Sequence, residues 1–561
     1  TYYYENGICL LEFLNPTLLS TLANKEDNPT LKEAMKGPDA ASFCKAMENE
    51  ISTLEKMRAY IVVDRSEATS KPISSVWALR RKRYPDGSVR KLKARICARG
   101  FEQREGIDYF ETYAPVVQWI SVRIVLVMTI LLGLHTTQID YTSAFMQATL
   151  EEDVFVEMPP GFEQEGKVWK LTQAIYGLKQ SPRAFFEFSK QKLIKLGFHQ
   201  SIADPCLFIS PTVVCLIYVD DAIFVYKSED EVDKLTEKMA ALDILFEVED
   251  DVAGYLGVHI ERNPEKGTIT LSQKGLIQRI IEAMHLDGDS VTSSVPVKSF
   301  LPLDKDGEPP TELYSYASVA GMLQYLQLTT RPDISFAVSQ VCRYIYSPKR
   351  SHEKAMERIG LYLKETREGG LVFRPKQTAS NKFCNIDVYV DADFASGWGT
   401  EEGTNPDSVK SRTGYIVEIM GCPIIWCSKL QPCIATSTME AEYTALSMAL
   451  CAAIPLLYIT NSIHNGFDFH ASKKVTFKAT VHEDNMGALK LAQLEPGRHT
   501  PRSKFYALKM HWFRSWLKPD TEGIAEIDIV HCDTSNQKAD FLTKALVPAK
   551  FVACCQLSLG W

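Results

Sequence analysis

Two aspartates stand side by side, Asp220 and Asp221, inside Val213 to Lys227, VVCLIYVDDAIFVYK, and a third, Asp140, ends an apolar stretch in His135 to Met146, HTTQIDYTSAFM. Adjacent carboxylates between apolar runs repel each other, so a chain that places them there supplies a cation, and hard oxygen ligands of this kind suit Mg²⁺. That makes the turn a candidate metal site for phosphoryl chemistry. The flanking β-branched and aromatic residues read as two strands joined by a tight acidic turn. A plainer reading stands beside it, because Asp favours hairpin tips for turn geometry alone. A second acidic set lies in the last third of the chain. Asp391 closes the alternating run NIDVYVDADF, Glu440 starts the helix-like STMEAEYTALSMAL, Asp484 ends VTFKATVHED, and Asp540 opens ADFLTKAL. Four carboxylates on four elements converge only through a fold. Singly each is weak, since helix starts favour Asp and Glu and most such residues are solvated.

The elements that must position these residues occupy 561 positions, more than one hydrophobic core holds. With 45% hydrophobic, 24% charged and 10% aromatic residues, the composition is that of an ordinary soluble globular protein. The longest apolar run, Ile124 to Leu134, is too short to span a bilayer and reads as a buried helix. Fourteen cysteines lack any C-x-x-C pair or regular Cys/His spacing, which argues against a zinc module or disulfide framework and for a reducing compartment. A net charge of -8 speaks against nucleic acid as a partner only until its distribution is read. Arg80, Arg81, Lys82, Arg83, Arg90, Lys91, Lys93, Arg95, Arg99 and Arg104 face only Asp86 and Glu102 between positions 80 and 104, a local basic surface. Pro85-Asp86-Gly87 marks a turn between two strands there. The chain starts at Thr1 without a signal pattern, so the expectation is a piece of a longer polyprotein.

Taken in order, Asp140 followed by YTSAF, YGLKQSPRAFF from Tyr176 to Phe186, and YVDD from Tyr218 to Asp221 resemble the reverse transcriptase of copia-type (Pseudoviridae-like) LTR retrotransposons. KARICARGFEQREGIDYFETYAPVV from Lys93, YLGVHI from Tyr255 and TTRPDISFAV from Thr329 extend the resemblance. The DAD, EAEY, DN and AD motifs of the last third resemble the ribonuclease H domain that follows the polymerase in that family. Order and spacing agree from about Ala46 to the C-terminus.

The resemblance implies an α+β multidomain fold: a right-hand polymerase with fingers, a palm on a ferredoxin-like sheet and a thumb, then a connecting region, then an α/β ribonuclease H-like domain with a mixed sheet. The boundaries expected are 1–45 for an N-terminal tail or tether, 46–265 for fingers and palm, and 266–290 for the thumb start. Linker and thumb or connection helices take 291–380, the nuclease 381–547, and a C-terminal tail 548–561.

By the same resemblance, Asp140 and Asp220 bridge two Mg²⁺ ions, with Mn²⁺ an accepted substitute, and Asp221 is the accessory ligand. Asp391, Glu440, Asp484 and Asp540 hold two more in the nuclease. On a helix Glu440 and its neighbour Glu442 lie about 200° apart, so only one faces the site, and motif position selects Glu440; position likewise selects Asp391 over Asp393. Lys93 and Arg95 match positions that reach the incoming triphosphate, and Phe145 the position that excludes a 2′-hydroxyl. Tyr176, Gly177, Lys179 and Arg183 match a block lining the template and nucleotide pocket, and GYLG around Gly254 to Gly257 matches the primer grip. Phe505 departs from the usual His, while His511 is kept; Phe43 and Tyr60 replace tryptophans.

The partners implied are an RNA template, a DNA primer, an RNA/DNA hybrid and dNTPs, with a tRNA primer, integrase and Gag particle of the same element, and no membrane. The place implied is the cytoplasm, within virus-like particles, and the nucleus with the integration complex. A maturase-like or telomerase-like enzyme is disfavoured by the C-terminal nuclease. A domesticated or inactive copy acting as a nucleic-acid-binding module is disfavoured by the presence of all seven carboxylates. No D-T-G or D-S-G triplet and no zinc-ligand pattern occurs, so protease and integrase are expected outside this chain.

Overall fold

The computed structural model describes residues 27–83, 89–249, 252–288, 291–376, 383–399, 406–467, 476–495, 498, 511–517 and 526–561. The chain divides into two compact units, neither continuous in sequence: Ser20–Gln118 with His135–Asp251, and Trp119–Leu134 with Val252–Trp561.

Among the described residues the first unit holds eleven strands: β1 (Tyr60–Asp64), β2 (Ser75–Arg83), β3 (Val89–Ala98), β4 (His135–Tyr141), β5 (Phe155–Val156), β6 (Lys167–Leu171), β7 (His199–Gln200), β8 (Leu207–Ile209), β9 (Val213–Tyr218), β10 (Asp221–Tyr226) and β11 (Phe246–Glu249). Its main sheet is antiparallel throughout, in the order β11-β4-β10-β9-β8-β7. Strands β9 and β10 are buried on both faces, which is why they read as near-continuous apolar runs. The helix Ser181–Lys195 is tied to this sheet by Phe185, edge-on to Tyr141 at 5.4 Å.

Strands β2 and β3 form the basic hairpin; the turn expected at Pro85-Asp86-Gly87 lies outside the described residues. Register puts Leu79 opposite Ala94 and Trp77 opposite Ile96 on the buried side. Arg80 opposite Lys93, Lys82 opposite Lys91, and Arg95 share the other side.

The N-terminal tail expected over 1–45 is corrected within its described part. Leu31–Lys36 is a helix with a Thr30/Glu33 capping box, and a second helix runs Ala40–Lys56. Phe43, Met47, Ile51 and Leu54 form an apolar stripe that covers the buried face of the hairpin. Arg81 pairs with Asp39 at 2.8 Å and lies over the Phe43 ring.

The second unit holds β12 (Gly254–Tyr255), β13 (Val258–Asn263), β14 (Thr268–Ser272), β15 (Leu371–Phe373), β16 (Phe383–Asp393), β17 (Arg412–Ile419), β18 (Cys422–Leu430), β19 (Thr476–Glu483) and β20 (Ile527–His531). A four-stranded sheet runs β12-β13-β14-β15, opened by a two-residue turn in which Leu256 and Gly257 are both left-handed. A five-stranded mixed sheet runs β18-β17-β16-β19-β20, antiparallel on one side of β16 and parallel on the other. The helix Thr438–Gly466 packs on it. This helix is long and apolar enough to cross a membrane by length and composition, and most of it is buried as the core helix of this sheet.

Among the connecting helices, Arg331 and Asp333 form a fully buried ion pair at 2.7 Å, braced by the Tyr362 hydroxyl and Thr366. The expected C-terminal tail is also corrected. Pro548–Leu559 is a helix that buries Phe551, Cys554, Cys555 and Leu559, and Trp561 donates its indole N–H to the Gly370 carbonyl.

Candidate active sites

In the first unit, β10 runs antiparallel between β4 and β9, so Asp221 stands opposite Asp140 on one side and Tyr218 on the other. Val219 and Asp220 are left as a two-residue tip. Val219 takes a left-handed φ of 52°, a conformation that costs a β-branched residue about 1–3 kcal/mol and persists only where its surroundings impose it. The imposition is visible: the Tyr141 N–H donates to the Asp220 carbonyl at 2.7 Å, fastening the tip to the end of β4. Asp140, Asp220 and Asp221 are thereby brought together.

Burial, and then the charges of Asp220 and Asp140, push the Asp221 carboxyl up to about 6, while the Gln138 amide donating to it opposes the shift. Burial and Asp220 also raise Asp140, against the pull of Lys93. Glu247 lies opposite Asp140 on β11 and adds to the excess of negative charge. An all-oxygen donor set that is partly buried and mutually repelling fits a hard divalent cation.

Lys93 is close enough for its charge to act on Asp140, and burial followed by Arg95 and Lys82 lowers it from the usual ammonium range. The Arg95 guanidinium lies 4.3 Å over the Tyr176 ring. Tyr176 in turn meets Phe145 edge-on at 4.8 Å, and Phe145 meets Phe185 at 6.2 Å. A continuous row therefore runs from the basic hairpin to Phe145, which is 8% exposed. Tyr176 is a packing member of that row.

Gly177 is held at φ +91°, where an added Cβ would lie 2.1 Å from the Ala98 carbonyl oxygen; one on Gly100 would lie 2.2 Å from the Gly177 oxygen. Only glycine admits this approach, through which the Ala98 N–H donates to the Tyr176 carbonyl. Lys179 turns onto Tyr109, 3.1 Å from its hydroxyl, and Arg183 pairs with Glu111 at 2.5 Å. Both are engaged with the segment 103–111.

In the second unit, carboxylate oxygens of Asp391 on β16, Glu442 on the long helix and Asp484 after β19 all lie within 4.8 Å of one another. Glu440, the residue expected there, is not among them. Its carboxylate folds back onto the Thr436 N–H and hydroxyl at 2.8 and 2.7 Å, while its own N–H donates to the helix-capping Ser437. Capping takes Glu440, and Glu442, two positions on, enters the cluster. The Ser437-x-x-Glu440 spacing was the legible signal, since it is a capping signature.

The Glu442 carboxyl is raised by burial and by Glu483, Asp391 and Asp484, and its Oε2 is buried with no hydrogen-bond partner among the described residues. That orphaned oxygen, beside the carboxylates of Asp391 and Asp484, fits a divalent cation. Burial pushes Asp391 up to about 6, with Lys544 opposing. The fully buried Asp540 takes Lys544 on Oδ1 at 2.9 Å and Lys550 on Oδ2, and Lys544 also reaches Asp391 at 3.4 Å. Thr543 donates its hydroxyl to Asp391. Lys544, Thr543 and the buried Glu483 escaped the sequence reading. The i, i+4 spacing of Lys544 from Asp540 was a signal for the first. Asp393 stays out of the cluster; His511 meets the Tyr443 hydroxyl through Nδ1, and Phe505 lies outside the described residues.

A family model described as "Reverse transcriptase (RNA-dependent DNA polymerase)" matches residues 57–299. Over 96% of its length the chain is 29% identical to the retrovirus-related Pol polyprotein from transposon TNT 1-94 of Nicotiana tabacum, and over 85% it is 31% identical to that from transposon RE1 of Arabidopsis thaliana. It spans 39% and 31% of those two relatives. A foamy viral protease-reverse transcriptase solved with double-stranded DNA aligns over 87% of this chain and 69% of that one, with a TM-score of 0.45 and 14% identity. Residues 57–299 are thus a reverse transcriptase domain of the kind carried by the Pol polyproteins of copia-type LTR retrotransposons.

Proposed function

We propose that this chain is an RNA- and DNA-directed DNA polymerase that carries a ribonuclease H site, and that it copies a retrotransposon transcript into DNA. The observation that carries the reading is the strand register that sets Asp140 against Asp221 with Asp220 at the fastened tip. Divalent ions bound there, two Mg²⁺ or Mn²⁺, supply activation of a primer hydroxyl and neutralisation of the triphosphate. The chain's own groups do the rest. Asp140, Asp220 and Asp221 hold the ions, and Lys93 and Arg95 present cationic charge to the triphosphate. Phe145, locked by Tyr176 and Phe185, sets a hard wall where a ribose 2′-hydroxyl would lie. Lys179 and Arg183 serve the template side once a phosphate competes with Tyr109 and Glu111.

In the nuclease, Asp391, Glu442, Asp484 and Asp540 hold the ions that promote cleavage of the RNA strand of a hybrid. The partners of this reading are an RNA template, a DNA primer, dNTPs and the resulting hybrid, with a tRNA primer, integrase and Gag particle of the same element. Its place is the cytoplasm, within virus-like particles, with passage to the nucleus.

The test is primer extension on a labelled RNA template with dNTPs and Mg²⁺, following extension and template cleavage together. Asp220→Asn with Asp221→Asn is expected to abolish extension and leave cleavage intact. Tight hybrid binding without extension by the unaltered chain, under Mg²⁺ or Mn²⁺, would instead establish a non-catalytic binding module.

A further inference from the structure

Resting on the nuclease reading, we propose that Lys544 is a built-in counter-cation of that site, bridging Asp391 and Asp540 until a divalent ion displaces it. The geometry is specific. The helix Asp540–Thr543 stops at Lys544, whose backbone turns extended, and the side chain comes back over the preceding turn. Its ammonium reaches Asp540 Oδ1 at 2.9 Å and Asp391 Oδ2 at 3.4 Å, so one cation bridges two carboxylates from different elements. Lys550 differs: it touches only the other oxygen of Asp540.

The consequence is visible in the cluster itself. Asp391, Glu442 and Asp484 have converged, while Asp540, held by both lysines, stands outside that close group. Buried carboxylates without a cation repel each other, and an ammonium near 3 Å offsets that repulsion with a single charge. A divalent ion brings two charges and needs the same oxygens, so Lys544 and the metal exclude one another. Lys544 can yield: its side chain is 37% exposed and its four-carbon stem can swing the ammonium into water. Lys544 therefore stabilises the metal-free fold and raises the metal concentration at which the site fills.

The test uses the full chain carrying Asp140→Asn, Asp220→Asn and Asp221→Asn, so that the polymerase carboxylates are silent. Its thermal unfolding is followed against MgCl₂ and, separately, MnCl₂. Lys544→Met is expected to melt lower without metal and to reach half-maximal stabilisation at a metal concentration about 5- to 10-fold lower, the low end of coupling between sites. Lys544→Arg should restore the metal-free melting temperature and a midpoint near the parent's. Lys550→Met should shift the midpoint less than Lys544→Met does. A parent that responds to metal while Lys544→Met keeps or raises the midpoint overturns the role of Lys544 and leaves the nuclease reading standing. No metal response in any form overturns both.

Discussion

Glu440 and Glu442 sit two positions apart on one helix and do different work, because the first faces its own helix start and the second the sheet. Glu442→Gln is expected to lower cleavage of the RNA strand at least about 100-fold, the scale of losing one transition-state contact, with primer extension retained. Glu440→Gln keeps an oxygen that can accept from Thr436 and should leave cleavage within a few-fold while lowering stability by only about 0.3–1 kcal/mol, the loss of one negative charge at the helix start. A hybrid-cleavage gel and a thermal melt on both variants decide the assignment. Asp391 adds a pH signature. Its folded carboxyl is raised to about 6 from an ordinary value of 3.8, so its contribution to stability is complete below 3.8 and lost as pH rises through about 6. In EDTA the chain should lose up to about 3 kcal/mol from this group between pH 4 and pH 7. Asp391→Asn should flatten that slope, and an unchanged slope would refute it. Strand alternation and motif order made Asp140, Asp220, Asp221, Asp391 and Asp484 legible, and the structure brings them into two acidic groups. Lys544 and Glu483 were not legible, since a lysine over an acid and a buried glutamate acquire meaning only from neighbours on other elements.

At the scale of elements, the junction of Gly100, Gly177 and the end of β3 is the least forgiving place in the first unit. Gly177→Ala combines a left-handed backbone with a clash against backbone, and is expected to cost about 2–5 kcal/mol. Gly161→Ala, at φ +94° with nothing within 4 Å, should cost only about 1–2 kcal/mol. Thermal melts of the two variants separate the terms; equal losses would mean that close approach contributes nothing. The strands β9 and β10 and the basic hairpin were readable from β-branched runs and alternation. The helices before position 45 were not. Proline and polar residues there read as a tether, and burial of Phe43 depends on the hairpin face that a later segment brings to it.

For the whole molecule, sequence order and compact units part company at the helix Trp119–Leu132. Linear reading put it with the palm, yet it packs within the second unit. Its buried Arg123 donates to the carbonyls of Leu328, Thr329 and Ile424 and lies 4.2 Å over the Trp426 ring. Pairing between segments this distant leaves no trace in a local pattern, which is why it was missed. Arg123→Met is expected to destabilise the second unit by about 2–4 kcal/mol through the lost charged hydrogen bonds. A fragment of residues 381–561 alone should fail to unfold cooperatively, as judged by thermal melting; a fragment as stable as the full chain would rule this out.

The same helix sets a clock for biosynthesis. Arg123 leaves the ribosome 301 positions before Ile424, a delay on the order of 15–60 s at ordinary translation rates. For the first 205 positions of that interval an almost wholly apolar helix has been made and none of Arg123's three carbonyl partners has; Ile424 comes last. The yield of folded protein should therefore depend on elongation rate between positions 134 and 424.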